Sequence, residues 1–171
     1  MVWADQDALA VLATATVTGG DEPGRHRGAS FYADPVAWLV ADAVGAVFDA
    51  AGQSGKGTGT DVGVLAVSEY GTSHTMREVT AMRDRGRVSP LRFAGANPGS
   101  VAGLACIVHG LRGPSLMLSM PPPAARPTVA LLARAWLTGG VCRRVVVSEH
   151  ERGPAGHTVH TVVLTSAEAR C

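Results

Sequence analysis

The sequence predicts an α/β fold in which helices cover a layered, largely parallel sheet. Three observations carry this. Short β-branched apolar runs, among them ALAVLATATVT (8–18) and DVGVLAVS (61–68), read as buried strands. Between them lie stretches whose apolar residues recur every three or four positions, the period of a helix with one buried face. Strands alternating with helices give a layered α/β architecture. The 171 residues, 46% hydrophobic and 17% charged, are enough for one domain over 1–171 with a real core, and they exclude disorder as the main state.

The elements follow in order. The first strand stops at Gly19-Gly20, although its alanines also permit a helix, and residues 19–30 are a polar, Gly-rich loop. Asp34 is an N-cap and Pro35 the first helical residue of a helix over 35–51. Its stripe runs through Val36, Leu39, Val40, Ala43, Val44, Val47 and Phe48 to a stop at Gly52. GQSGKGTGT (52–60) is a flexible loop. It is not a phosphate loop, because Lys56 is followed by Gly57 rather than Ser or Thr and a strand, not a helix, comes next. After the strand at 61–68 comes a helix over about 72–82. RVSPLRFAGANPG (87–99) reads as a long loop in which Asn97 caps and Pro98 opens the next helix, SVAGLACIVHG, ended by Gly110. A strand at 115–120, a helix at 125–138 and strands at 143–148 and 158–164 complete the chain.

Charge excludes some functions. The net charge is +1, which gives no argument for nucleic acid or a membrane. Lys56 is the only lysine among 15 basic residues, and arginine forks suit carboxylate, phosphate and interface contacts. No apolar run of 18 residues occurs, and the start, MVWADQDALAVLATATV, has acidic residues where a signal peptide has basic ones. The expected location is the cytoplasm. Cys106, Cys142 and Cys171 are odd in number and lack CxxC spacing, which argues against a disulfide framework or a cysteine zinc site. Cys106 and Cys142 read as buried structural residues, and Cys171 as a terminal free thiol.

Three stretches in order resemble the N-terminal half of a β-ketoacyl synthase. They are SPLRFAGANPGSVAGLACIVHGLRGPS (89–115), LMLSMPPPAARPTVALLARAWLTGG (116–140) and VCRRVVVSEHE (141–151). In that family they correspond to a small-residue helix with a Gly-Pro turn into a strand, a strand with a sharp nucleophile turn and a long buried helix, and the strand that follows. The helix at 35–51 and the strand at 61–68 with Glu69-Tyr70-Gly71 fit the same order, so the resemblance covers roughly residues 8–165. It implies a thiolase-like half domain. It also implies a dimer surface at the strand holding Leu116, Met117, Leu118 and Met120, which pairs with its symmetry mate in the family.

The resemblance breaks at the chemistry. A condensing enzyme has a cysteine at the nucleophile turn, where a helix N-terminus lowers its pKa. The alignment puts Pro122 there, and Pro122 and Pro123 lack the backbone N–H of an oxyanion hole. The family draws two catalytic histidines and a lysine from a C-terminal half that these residues do not include. The expectation is a non-catalytic protein of polyketide or fatty-acid biosynthesis, like a chain-length factor. Its partners would be a second copy or a full-length ketosynthase, and an acyl carrier protein. The alternative is a hydrolase or acyltransferase acting on carrier thioesters through another residue, such as Ser119. No cofactor is expected.

Arg77, Arg83, Arg85, Arg87 and Arg92 lie within sixteen residues, offset only by Glu78 and Asp84. They read either as a solvated face or as a docking patch for an acidic carrier protein at Arg83, Arg85, Arg87 and Arg92. Aromatic residues do not interleave with them apart from Phe93, which argues against nucleic acid. Glu149, His150, Glu151, His157 and His160 are metal-ligand types, but His157 and His160 should point to opposite faces of a strand, so a metal site is not expected. His74 and Ser73 have no acidic partner at useful spacing, and His109 ends a helix, where a cation suits the dipole.

Overall fold

The computed structural model describes residues 9–20, 32–52, 61–87 and 89–167. Lys56 and Cys171 lie outside the described residues. In chain order the elements are β1 (Leu9–Gly19), α1 (Pro35–Ala50), β2 (Val62–Ser68), α2 (Ser73–Asp84), α3 (Pro90–Gly95), α4 (Ser100–His109), β3 (Ser115–Leu118), α5 (Pro122–Thr138), β4 (Arg144–Gly153) and β5 (Gly156–Ser166).

Among the described residues, five strands form one sheet in the order β1-β5-β4-β2-β3. β2 pairs parallel with both β3 and β4, while β5 runs against both β4 and β1. Four strands therefore share one direction and β5 alone opposes them. The opposed strand comes from a hairpin: Gly153 faces Gly156 across Pro154-Ala155. Gly156 sits at φ 114, and a Cβ there would lie 2.6 Å from the Gly19 carbonyl oxygen, so only glycine fits.

Helices cover both faces. α1 and α4 bury Val36, Val40, Val44, Val47, Val101 and Leu104 against Val64, Ala66, Val146 and Val163. α5 buries Val129, Ala133 and Leu137 against Leu65, Val67, Val145, Val147 and Val162. β2 is buried at every position, as a strand covered on both faces must be. Asp34 caps α1 as expected: its Oδ1 accepts from the Val36 N–H at 2.9 Å. Its Oδ2 accepts from the Thr75 N–H of α2, also at 2.9 Å, so one fully buried carboxylate joins two helix starts. At the Gly-Pro turn into β3, a Cβ on Gly113 would stand 2.2 Å from the Val62 carbonyl oxygen, which is why the chain can pass there only as glycine.

Several boundaries differ from expectation. The long loop contains α3, capped by Ser89, whose hydroxyl accepts from the Arg92 N–H. α4 starts at Ser100, not Pro98, because Asn97 uses its Oδ1 on the Gly99 N–H in a local turn. β3 stops at Leu118, and α5 begins three residues earlier, so Pro122 and Pro123 are helical. β4 and β5 run on to a tight turn, and His157, one residue before the expected strand at 158–164, lies in β5.

Candidate functional site

β2, β3 and β4 are mutually parallel, so their C-terminal ends share one edge of the sheet, the edge where open α/β sheets place ligands. Two turns and a strand lie there: Ser68 to Gly71 after β2, Ser119 to Pro121 between β3 and the start of α5, and the outer half of β4. Ser119 is exposed and Pro122 buried. Pro122 and Pro123 have no N–H, and the N–H groups of Ala124 and Ala125 are both taken by the Pro121 carbonyl at 3.0 and 3.1 Å. The start of α5 thus offers neither a nucleophile nor a free N–H in its first four residues, although a helix N-terminus ordinarily presents four unpaired donors.

A buried polar chain, which the sequence reading missed, lies on the α1 and α4 side of this edge. The Gly71 N–H donates to Ser68 Oγ at 2.8 Å. Ser68 Oγ lies 2.7 Å from His150 Nδ1, and His150 Nε2 lies 2.7 Å from His157 Nδ1. The two imidazoles stack with centroids 5.0 Å apart. Burial, reinforced by the neighbouring His157 and Arg152, pulls the His150 pKa down to about 4. A neutral His150 satisfies both contacts, one nitrogen donating and the other accepting. A hydroxyl beside an imidazole is nucleophile chemistry when a substrate can reach it. Here Ser68 is fully buried and His150 almost so, and the chain fastens the β2 turn to the β4–β5 hairpin.

On the opposite face, Arg126 of α5 meets Glu149 of β4 through two bonds of 3.1 Å, Nε to Oε1 and Nη2 to Oε2. Glu149 is buried beneath it. His157 and His160 do diverge: His160 Nδ1 is 3.0 Å from Thr16 Oγ1 on the far side of β5. No cluster of three metal-ligating side chains occurs among the described residues.

No known family's model matches the sequence, and no curated protein matches it. Solved structures do match. The ishigamide ketosynthase/chain length factor superimposes with a TM-score of 0.76 at 15% identity, over 95% of this chain and 63% of that one. A type II acyl-carrier protein in complex with its hexaketide-bound ketosynthase gives 0.74 at 13%, over 95% and 64%. A ketosynthase in complex with its chain length factor from Xenorhabdus doucetiae gives 0.67 at 12%, over 92% and 79%. The fold is the thiolase-like fold of the ketosynthases. The chain spans 63% of the length of the first of these structures.

Within this thiolase-like frame the expected site residues fall in two groups. β3 is an edge strand. Met117 packs toward α1 and α4, Leu118 and Met120 pack toward α5, and Leu116 is 39% exposed. The arginines belong to α2, α3 and the turn between them. Arg83, Arg85 and Arg87 are exposed, and Arg83 pairs with Asp84, which is exposed too. Arg92 is part-buried and committed to Glu78, so its charge serves the α2–α3 contact first. Burial raises the thiol pKa of both Cys106 and Cys142, which leaves them poor nucleophiles. His109 sits in the last turn of α4, as expected. Its Nε2–H donates to the Ala41 carbonyl of α1 at 2.8 Å.

Proposed function

We propose that the chain is a non-catalytic ketosynthase-like protein of polyketide or fatty-acid biosynthesis, of the chain-length-factor kind. It acts by binding a ketosynthase, an acyl carrier protein or both, in the cytoplasm. The observation that carries this reading is the start of α5. On a thiolase-like frame, Pro122 and Pro123 occupy the turn where the resemblance calls for a nucleophile. The likeness to structures of a ketosynthase with its chain length factor, and of a ketosynthase with its carrier protein, supports both partners. No helix among the described residues is long and apolar enough to cross a membrane.

The test is condensation. These 171 residues should form no carbon–carbon bond from acyl- and malonyl-carrier substrates, and Pro122→Cys should not restore it, because His150 at that sheet end is already held by Ser68 and His157. Product formed by either protein would overturn the reading. Thioester loss that disappears in Ser119→Ala would instead support a hydrolase.

Reversal of Arg83, Arg85 and Arg87 to Glu should weaken carrier-protein binding, and wild-type affinity should fall with salt, since exposed charges are screened over about 10 Å at 0.1 M. Unchanged binding of the triple reversal at low salt would leave these arginines as a solvated face.

The β3 edge is the proposed seam with a second copy or a full-length ketosynthase, because an apolar edge strand left open invites pairing. Leu118→Asp should give a monomer or an insoluble protein. Sedimentation of the wild type as a stable monomer at micromolar concentration would remove the seam.

A further inference from the structure

The turn between α2 and α3 gathers two cations and a hydroxyl in one place. Arg85, Arg87 and Ser89 line a single cleft of about 610 Å3 with Met82. Both arginines are exposed. The carboxylates of α2 are already engaged, Asp84 with Arg83 and Glu78 with Arg92. Among the described residues neither Arg85 nor Arg87 has an ion-pair partner. The backbone fixes where the two stand. The Arg85 N–H donates to the Met82 carbonyl at 3.1 Å and the Arg87 N–H to the same carbonyl at 2.9 Å, with Gly86 at φ 69 between them. Two unpaired guanidinium forks in one cleft suit a phosphate, which each fork can grip through two parallel bonds.

Ser89 is placed to carry that phosphate. It is half-buried, extended at φ −92 and ψ 117, and lies just outside α3, so no helix has to unwind to present its hydroxyl. The Oγ accepts a long bond of 3.4 Å from the Arg92 N–H, which is a weak hold. Ser68 and Ser148, by contrast, are fully buried. A free anion in this cleft would rest on two exposed side chains whose charges salt screens. A phosphate esterified to Ser89 is tethered beside them at high effective concentration.

We propose that Ser89 is a phosphorylation site and that Arg85 and Arg87 hold the phosphoserine in their cleft. The modifying enzyme is a separate serine kinase with a nucleoside triphosphate as donor. The Ser89 Oγ–P bond forms as the bond from the γ-phosphorus to its bridging oxygen breaks. The hydroxyl proton goes to a base of the kinase, and the nucleoside diphosphate leaves. Phosphoserine carries a charge of about −1.5 to −2 at pH 7, enough to offset both arginines. Phosphorylation therefore cancels the two unpaired cations of the patch and switches off its attraction for an acidic partner. This consequence rests on the reading that an acidic carrier protein docks at these arginines; the phosphoserine clamp does not.

The test uses the full chain with phosphoserine installed at position 89 during translation, its fold checked by thermal melting. Phosphorus NMR should show the phosphate losing its second proton about half a pH unit or more lower in the folded protein than in urea, because the arginines favour the dianion. Arg85→Gln with Arg87→Gln should remove that difference. A phosphate that titrates alike in the folded and unfolded chain would overturn the clamp. Protein recovered from the cells that make it should carry phosphate on Ser89 in peptide mass maps, and its absence there would overturn the modification. A purified type II acyl carrier protein should bind the phosphoprotein about tenfold or more weaker than the unmodified protein. Equal binding of both forms would overturn the switch. Binding of neither would overturn carrier docking and leave the phosphoserine site standing on its titration. Inorganic phosphate at millimolar concentration and matched ionic strength should not reproduce the effect; if it does, the cleft takes a free anion and the role given to Ser89 is wrong.

Discussion

Lowering the pH from 7.5 to 4 should cost the fold about 3 kcal/mol through His150 alone. Its imidazole titrates near 4 in the folded protein and near 6.5 in an unfolded chain, and each unit of difference is about 1.4 kcal/mol. The sign follows from which state binds protons. The unfolded chain takes up a proton first as the pH falls, so the stabilisation is complete above about pH 6.5 and drains away through the interval down to about 4. The cause is spatial: a charged His150 would sit buried beside His157 and near Arg152, with Ser68 as its neutral contact. Denaturant midpoints measured across this interval should fall steeply for wild type. They should fall less for His150→Asn, which starts lower because it loses the Ser68 and His157 bonds. Equal midpoints at pH 7.5 and 4.5 for wild type would show that His150 is not held neutral by the fold.

Arg126→Met should destabilise the protein by about 3 kcal/mol. The substitution leaves Glu149 as an unpaired carboxylate beneath α5, and breaking a buried pair from one side costs about 3–5 kcal/mol. The lower end applies because Arg126 is itself 36% exposed, so water can reach the vacated site. The double change Arg126→Met, Glu149→Leu should recover most of the loss, since no charge is then stranded. A double variant no more stable than Arg126→Met would assign the loss to packing of the arginine stem instead.

What could be read in advance follows from how local each signal is. Asp34-Pro35 and the stripe to Phe48 specify α1 within a short window, and its start, cap and end at Gly52 follow. β2 is apolar up to Ser68 and buried throughout because both faces are covered. α3 was hidden because PLRFAG is too short to display a period. The outer half of β4 was hidden because Glu149 and His150 look like loop residues, and only partners distant in sequence or across the hairpin, Arg126, Ser68 and His157, make their burial tolerable. The opposed direction of β5 did have a local sign, the Gly-Pro-Ala-Gly turn between two strands, which closes a hairpin rather than a crossover. With that hairpin placed, His150 and His157 fall on one face, diagonal neighbours across the ladder. The proline run at the start of α5 was legible as a loss of chemistry from residue type alone.

β1 has β5 as its partner in the sheet, with Leu9 opposite Ser166 and Gly19 opposite His157. Of the five described strands, the first in sequence is thus completed by the last. Until β5 emerges, β1 can dock on α1 but has no ladder, and its hydrogen-bonding edge stays open while β2, β3 and β4 assemble their parallel core. Pairings of such long sequence separation are slow to close, and nascent chains waiting with an open strand are prone to capture by one another. Closing of this sheet therefore waits on its longest-range ladder, the pairing of β1 with β5.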